Sequence, residues 1–101
     1  MANEVNITFV NLGDISNGAS VPALETGSIS AAQRLTATAS NQQSSANTGK
    51  RFVRVFVAAA CYLAFGTNPD ATVTTASIVL PAGAVEYYEV GPLDKVAFVL
   101  L

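Results

Sequence analysis

The chain has 101 residues, a net charge of −2, one cysteine and no histidine, and only 12% of its residues are charged against 50% hydrophobic. A single domain of this length buries only about 60–65% of its unfolded surface, so such an apolar, charge-poor composition predicts faces covered by partner subunits. The acidic balance, with a pI of 4.7, excludes nucleic acid as the main partner; the lone Cys61 excludes an intrachain disulfide, and the absence of histidine removes Ser-His-Asp and Cys-His catalysis and the commonest metal ligand.

The opening stretch MANEVNITFV has no basic region followed by a long apolar one, so it does not read as a secretory signal, and synthesis in a cytoplasm is expected. Val5, Ile7 and Phe9 alternate with Asn6 and Thr8, which predicts a strand. Residues 11–32 are rich in Gly, Ser, Asn and Pro and read as a long loop or arm, with short extended pieces near Val21 or Ile29. A connection of that length is unusual inside a compact domain and tends to be functional or disordered; an arm that orders against a neighbouring subunit and a floppy insertion are both open readings. Residues 33–40 alternate again, and 41–50 read as a polar loop.

Residues 51–66, RFVRVFVAAACYLAFG, are the most apolar part of the chain. A transmembrane helix needs about 20 apolar residues, and Arg54 and Gly66 bound a shorter run, so no membrane span is expected. Ala58-Ala59-Ala60 favours helix, whereas Val53, Val55, Phe56 and Val57 favour strand. One strand across the whole stretch would exceed the usual length. The economical reading is two strands, 52–57 and 61–66, broken at the alanines, with Val53, Val55, Val57, Cys61, Leu63 and Phe65 inward and Arg54 and Tyr62 outward. Lys50, Arg51 and Arg54 interleave with Phe52 and Phe56, a pattern that serves single-stranded nucleic acid but reads more simply as a strand's flank and polar face.

Asn68-Pro69-Asp70 reads as a turn. From residue 76 onward, Pro and Gly punctuate three short apolar runs, ASIVL, VEYYEV and KVAFVLL, which predicts a three-stranded antiparallel meander over 76–101. The total is about seven short strands and no helix, an all-β antiparallel sandwich or small jelly-roll-like barrel.

No catalytic signature accompanies these elements. The seven acids are scattered over predicted turns and strand faces, and Glu86 and Glu89 fall on opposite faces of one strand. The phosphate-cradling GxxxxGK[ST] and GxGxxG patterns are missing, as are alternating Asp/Asn calcium loops. No enzyme activity, cofactor or metal is expected. Surface suited to association remains. Tyr62, Tyr87 and Tyr88 are candidate contact residues because tyrosine tolerates a wet rim. Phe98, Leu100 and Leu101 join them, because AFVLL is apolar on both faces and a strand apolar on both sides is covered on both sides.

Residues 61–101, CYLAFGTNPDATVTTASIVLPAGAVEYYEVGPLDKVAFVLL, resemble small structural proteins of tailed bacteriophages. The shared pattern is an apolar strand ending in Phe-Gly, an Asn-Pro or Thr-rich turn, a Leu-Pro-Ala-Gly hairpin, an aromatic strand and a lysine-led last strand; RVFV and QRLTATASNQQS also fit. The chain departs from that pattern at Ala58-Ala59-Ala60, where such proteins tend to have an Asn/Gly turn. The resemblance implies a virion component without an active site, most often a capsid decoration (cement) protein on a β-sandwich. It would bind the outside of the capsid and bridge major capsid subunits, self-associating as a dimer or trimer. A tail, neck or fibre-associated protein is the alternative within the virion, and a carbohydrate- or cell-surface-binding β module is the alternative outside it.

Overall fold

A computed structural model describes residues 3–14, 20–24, 30–73 and 77–101. Among these residues the protein is all-β. Ten strands are formed: β1 (Glu4–Val10), β2 (Leu12–Asp14), β3 (Ser20–Leu24), β4 (Ser30–Thr36), β5 (Gln42–Gln43), β6 (Phe52–Val57), β7 (Cys61–Gly66), β8 (Ile78–Leu80), β9 (Val85–Glu89) and β10 (Lys95–Leu100). Eight of them build two antiparallel four-stranded sheets, ordered β4-β1-β6-β9 and β5-β10-β7-β8, while β2 and β3 pair only with each other.

The period-two patterns fix what each sheet buries. In the first sheet Val5, Ile7 and Phe9 lie opposite Val57, Val55 and Val53 in register. In the second, Phe98 lies opposite Leu63 and Leu100 opposite Cys61. These rows meet in one core with Val96 and Leu80, against which Leu35, Phe65, Tyr88 and Leu100 pack. Each fully buried Val, Leu or Phe side chain contributes about 1.5–3 kcal/mol. The Phe65 and Tyr88 rings meet across the two sheets, 4.8 Å between centroids.

The apolar stretch divides as its residues predict, β6 in one sheet and β7 in the other, with Ala58-Ala59-Ala60 as the crossing. Alanines suit this corner because several chain segments converge on it. Ala58 N–H donates to the Glu4 carbonyl at 2.8 Å, and Leu101 N–H donates to the Ala60 carbonyl at 3.1 Å. Beside them Gly83 N–H donates to the Val57 carbonyl at 2.7 Å. Glu4 and Leu101, near the two ends of the sequence, are thus held at one corner.

The predicted C-terminal meander is not formed. β8 pairs with β7, β9 with β6, and β10 with β7 and β5, so these three strands alternate between the sheets. The PAGA and GPLD turns are corners of the sandwich rather than hairpin loops. Pro and Gly mark where a chain turns, but the partner of the next strand is decided by core packing. The strand predicted at 33–40 is instead Ser30–Thr36, and the predicted polar loop 41–50 contributes the short edge strand Gln42–Gln43. Within the predicted arm 11–32, residues 12–14 and 20–24 form the β2–β3 ribbon; Ile29 lies outside the described residues. Read from β4 through β10 and then β1, the strands follow the order of a jelly roll, changing sheet at every step except β7 to β8. The strand that would complete the roll last is here the first in the chain.

A second, smaller apolar cluster of Ala64, Ala71, Ala97 and Val99 forms on the outer side of the β5-β10-β7-β8 sheet. Its cover comes from the same chain, correcting the expectation that AFVLL needs a partner subunit on its second face. Asn41 and Gln43 hold the 68–72 turn over these residues. The Asn41 amide donates to the Pro69 carbonyl at 3.2 Å and its oxygen accepts from Ala71 N–H at 2.9 Å. The Gln43 amide donates to the Pro69 carbonyl at 2.8 Å and to the Asn68 side chain at 3.0 Å.

Candidate interaction surfaces

The structure separates the six residues singled out in the sequence. Phe98, at 1% exposure, is a core residue and is corrected from contact surface to internal support. Leu100 is partly buried against the same core. Leu101 is exposed at the alanine corner. Tyr88 faces inward from β9, opposite Val53, and its phenol is pushed above the ordinary tyrosine range by burial and then by the Glu86 carboxylate. Tyr87, its neighbour, faces outward opposite Arg54. Tyr62 lies on the outer face of the other sheet, paired with Val79 and Val99. The two outward tyrosines therefore stand on opposite sides of the sandwich and form no shared platform.

Around Tyr62 the surface is apolar. Tyr62, Ala71, Thr72, Ser77 and Val99 line a depression of about 240 Å³. Two of its hydroxyls are engaged: Thr72 donates to the Asp70 carboxylate at 2.6 Å, and Ser77 to the Val73 carbonyl at 2.9 Å. That bond from Thr72, and then a second from its backbone N–H at 3.0 Å, hold the Asp70 carboxyl below its ordinary pKa. Val73, Ile78 and Val79 are exposed nearby.

The outer face of the β4-β1-β6-β9 sheet has a different chemistry. β6 presents Phe52, Arg54 and Phe56, each half-buried, and β9 presents Val85, Tyr87 and Glu89 beside them. Arg51, just before β6, bonds Glu89 at 2.9 Å and lies 5.4 Å over the Phe52 ring. This is the ion pair formed among the described residues, and both side chains are well exposed. Arg54 and Arg34, outward from β6 and β4, make no ion pair or side-chain hydrogen bond among the described residues.

Sequence reasoning missed a third feature, Leu93. It is 64% exposed and has a positive φ of 65°. Gly91-Pro92-Leu93-Asp94 is a turn closed by Asp94 N–H donating to the Gly91 carbonyl at 3.3 Å. With Pro second and positive φ third it is type II, whose third position ordinarily takes Gly. A Gly-Pro-x-Asp stretch with leucine at x is the signal that would have found it. No three His, Cys, Asp or Glu side chains among the described residues come together as a metal-binding group. Comparison with known proteins finds no matching family model, no matching curated protein and no matching solved structure.

Proposed function

We propose that this protein is a structural component of a tailed-phage virion that binds the outside of the capsid and stabilises it by bridging major capsid subunits. The observation that carries this reading is the connection between β1 and β4. These strands are antiparallel neighbours with Phe9 opposite Ser30, so a tight turn would suffice to join them. The chain instead inserts residues 11–29 there, part of which is a ribbon paired with neither sheet. An insertion that the sandwich does not need is suited to reaching a neighbouring subunit. Low charge and the exposed apolar residues of both outer sheet faces favour association as the protein's task. The residue pattern of 61–101, similar to that of phage structural proteins, supplies the setting. Tyr62 and Tyr87 stand on opposite faces, which disfavours the carbohydrate-binding alternative.

The test is to add the labelled protein to phage heads that lack it and to image the particles. Copies spread over the shell at subunit seams, with greater resistance of the heads to heat, are the expected result. Density confined to the tail or neck would overturn capsid decoration in favour of the tail-associated alternative.

A further inference from the structure

The outer face of the β4-β1-β6-β9 sheet is self-complementary. In the β6–β9 register Phe52 lies opposite Glu89 and Arg54 opposite Tyr87. The four side chains form a quadrilateral, with Arg54 and Glu89 on one diagonal and Phe52 and Tyr87 on the other. Diagonal neighbours of this kind are roughly 7–8 Å apart. Placing a second copy face to face, about a two-fold axis along the Phe52–Tyr87 diagonal, brings each ring onto its own counterpart. The same operation brings each Arg54 onto the partner's Glu89, twice over, as an isologous contact requires.

We infer that the chain forms a two-fold dimer through this face, with Arg54 of each copy against Glu89 of the other and Phe52 and Tyr87 along the axis. Arg54 is the residue that calls for a partner. It is half-buried between Phe52 and Phe56, and among the described residues nothing balances its charge. A second copy supplies the carboxylate. Glu89 is available because its bond to Arg51 is exposed to water on both sides, where such pairs hold little energy. Arginine and tyrosine are the residues that concentrate binding energy at interfaces. Around these four side chains the open area lies on β6 and β9, since Thr8 and Val10, next to Arg54 and Phe52 on β1, are already buried. The dimer is accordingly small and concentration-dependent.

This inference deepens the self-association expected of a virion subunit but does not depend on the capsid. A dimer that fails to bind phage heads would sink the proposed function alone, and a head-binding monomer would sink the dimer alone. The test is sedimentation equilibrium of the full chain over a wide concentration range. The wild type is expected to dimerise, and Arg54→Glu and Glu89→Arg each to weaken the dimer by about tenfold or more. The double variant R54E/E89R, which restores opposite charges across the axis, is expected to recover most of the loss. A wild type that stays monomeric, or single reversals without effect, or a double variant no better than the singles, overturns the proposal. Should a reversal disturb folding, C61A/Y87C provides the second measurement. Its thiols, facing each other on the axis, are expected to form an intermolecular disulfide much faster than those of C61A/L93C, and equal rates overturn the proposal.

Discussion

The side-chain amide of Asn47 donates to the carbonyl of Gly91 at 2.9 Å, joining segments 44 residues apart. The same amide donates to the Lys50 carbonyl at 2.6 Å, and the Asn47 oxygen accepts from Lys50 N–H at 2.9 Å. Asn47 main-chain groups bond Asp94 and Leu93. One fully buried asparagine thus fastens the 47–50 loop to the turn that leads into β10. Asn47→Ala strands two carbonyls and an N–H, each expensive to leave unpaired away from water. The expected loss is about 2–4 kcal/mol in urea unfolding. A midpoint unchanged from the wild type would show that water serves these groups equally well.

Leu93 predicts a change of the opposite sign. A leucine at positive φ carries about 1–2 kcal/mol of strain that glycine lacks, and its exposed side chain contributes little packing. Leu93→Gly is expected to raise stability by about 0.5–1 kcal/mol after glycine's larger unfolded-state entropy is counted. A fall in melting temperature would mean that the side chain is held by contacts that offset its backbone strain.

Cys61 sets a limit on the alkaline side. Its buried thiol lies 3.2 Å from the Ala59 carbonyl, and burial raises its pKa. Below about pH 8.5, the ordinary thiol value, both folded and unfolded chains keep the proton and stability is unaffected. Above it the unfolded chain ionises first, so stability falls until the raised folded pKa is passed. Tyr88, also raised, adds a second decline above about pH 10. Urea unfolding between pH 7 and 10 is expected to show the first decline in the wild type and not in Cys61→Ala. Parallel curves for the two proteins would rule out Cys61 as its source.

Phe98 and the 11–29 insertion divide folding from association. Phe98→Ala opens the centre of the core and is expected to cost about 3–5 kcal/mol. Intact stability with lost self-association would return Phe98 to the contact surface. Replacing residues 11–29 with a short Asn-Gly turn preserves the Phe9–Ser30 hairpin. Stability is expected to change by less than about 2 kcal/mol, since a shorter loop closes with less entropy loss. Attachment to phage heads is expected to weaken at the same time. Full occupancy by the shortened chain would remove the insertion from the proposed function.

Local chemistry made much of this fold legible. Alternation in EVNITFV and RFVRVFV gave the inward rows directly, because a strand buried on one side must repeat every second residue. The break at Ala58–Ala60 followed from strand length. Sheet membership was not legible, since β8, β9 and β10 carry similar apolar runs and only the assembled core assigns them to sheets. The covering of Ala97 and Val99 by the 68–72 turn also escaped, because it depends on Asn41 and Gln43, polar residues nearly 30 positions away. The candidate face on β6 and β9 was half visible. Tyr87 stood out by type, whereas pairing Arg54 with Tyr87 and Phe52 with Glu89 required the register.

The place of β1 fixes the order of events during synthesis. β1 leaves the ribosome before both of the strands it lies between, β4 and β6, with Glu4 opposite Thr36 and Val5 opposite Val57. Its apolar side must wait until more than half the chain has been made before either sheet can close over it. Contacts this distant in sequence place folding in the millisecond-to-second range, roughly, rather than the microseconds of helical bundles. Until β6 and β10 arrive, Val5, Ile7 and Phe9 are open to any other strand nearby, so crowding of nascent chains is the hazard this topology carries.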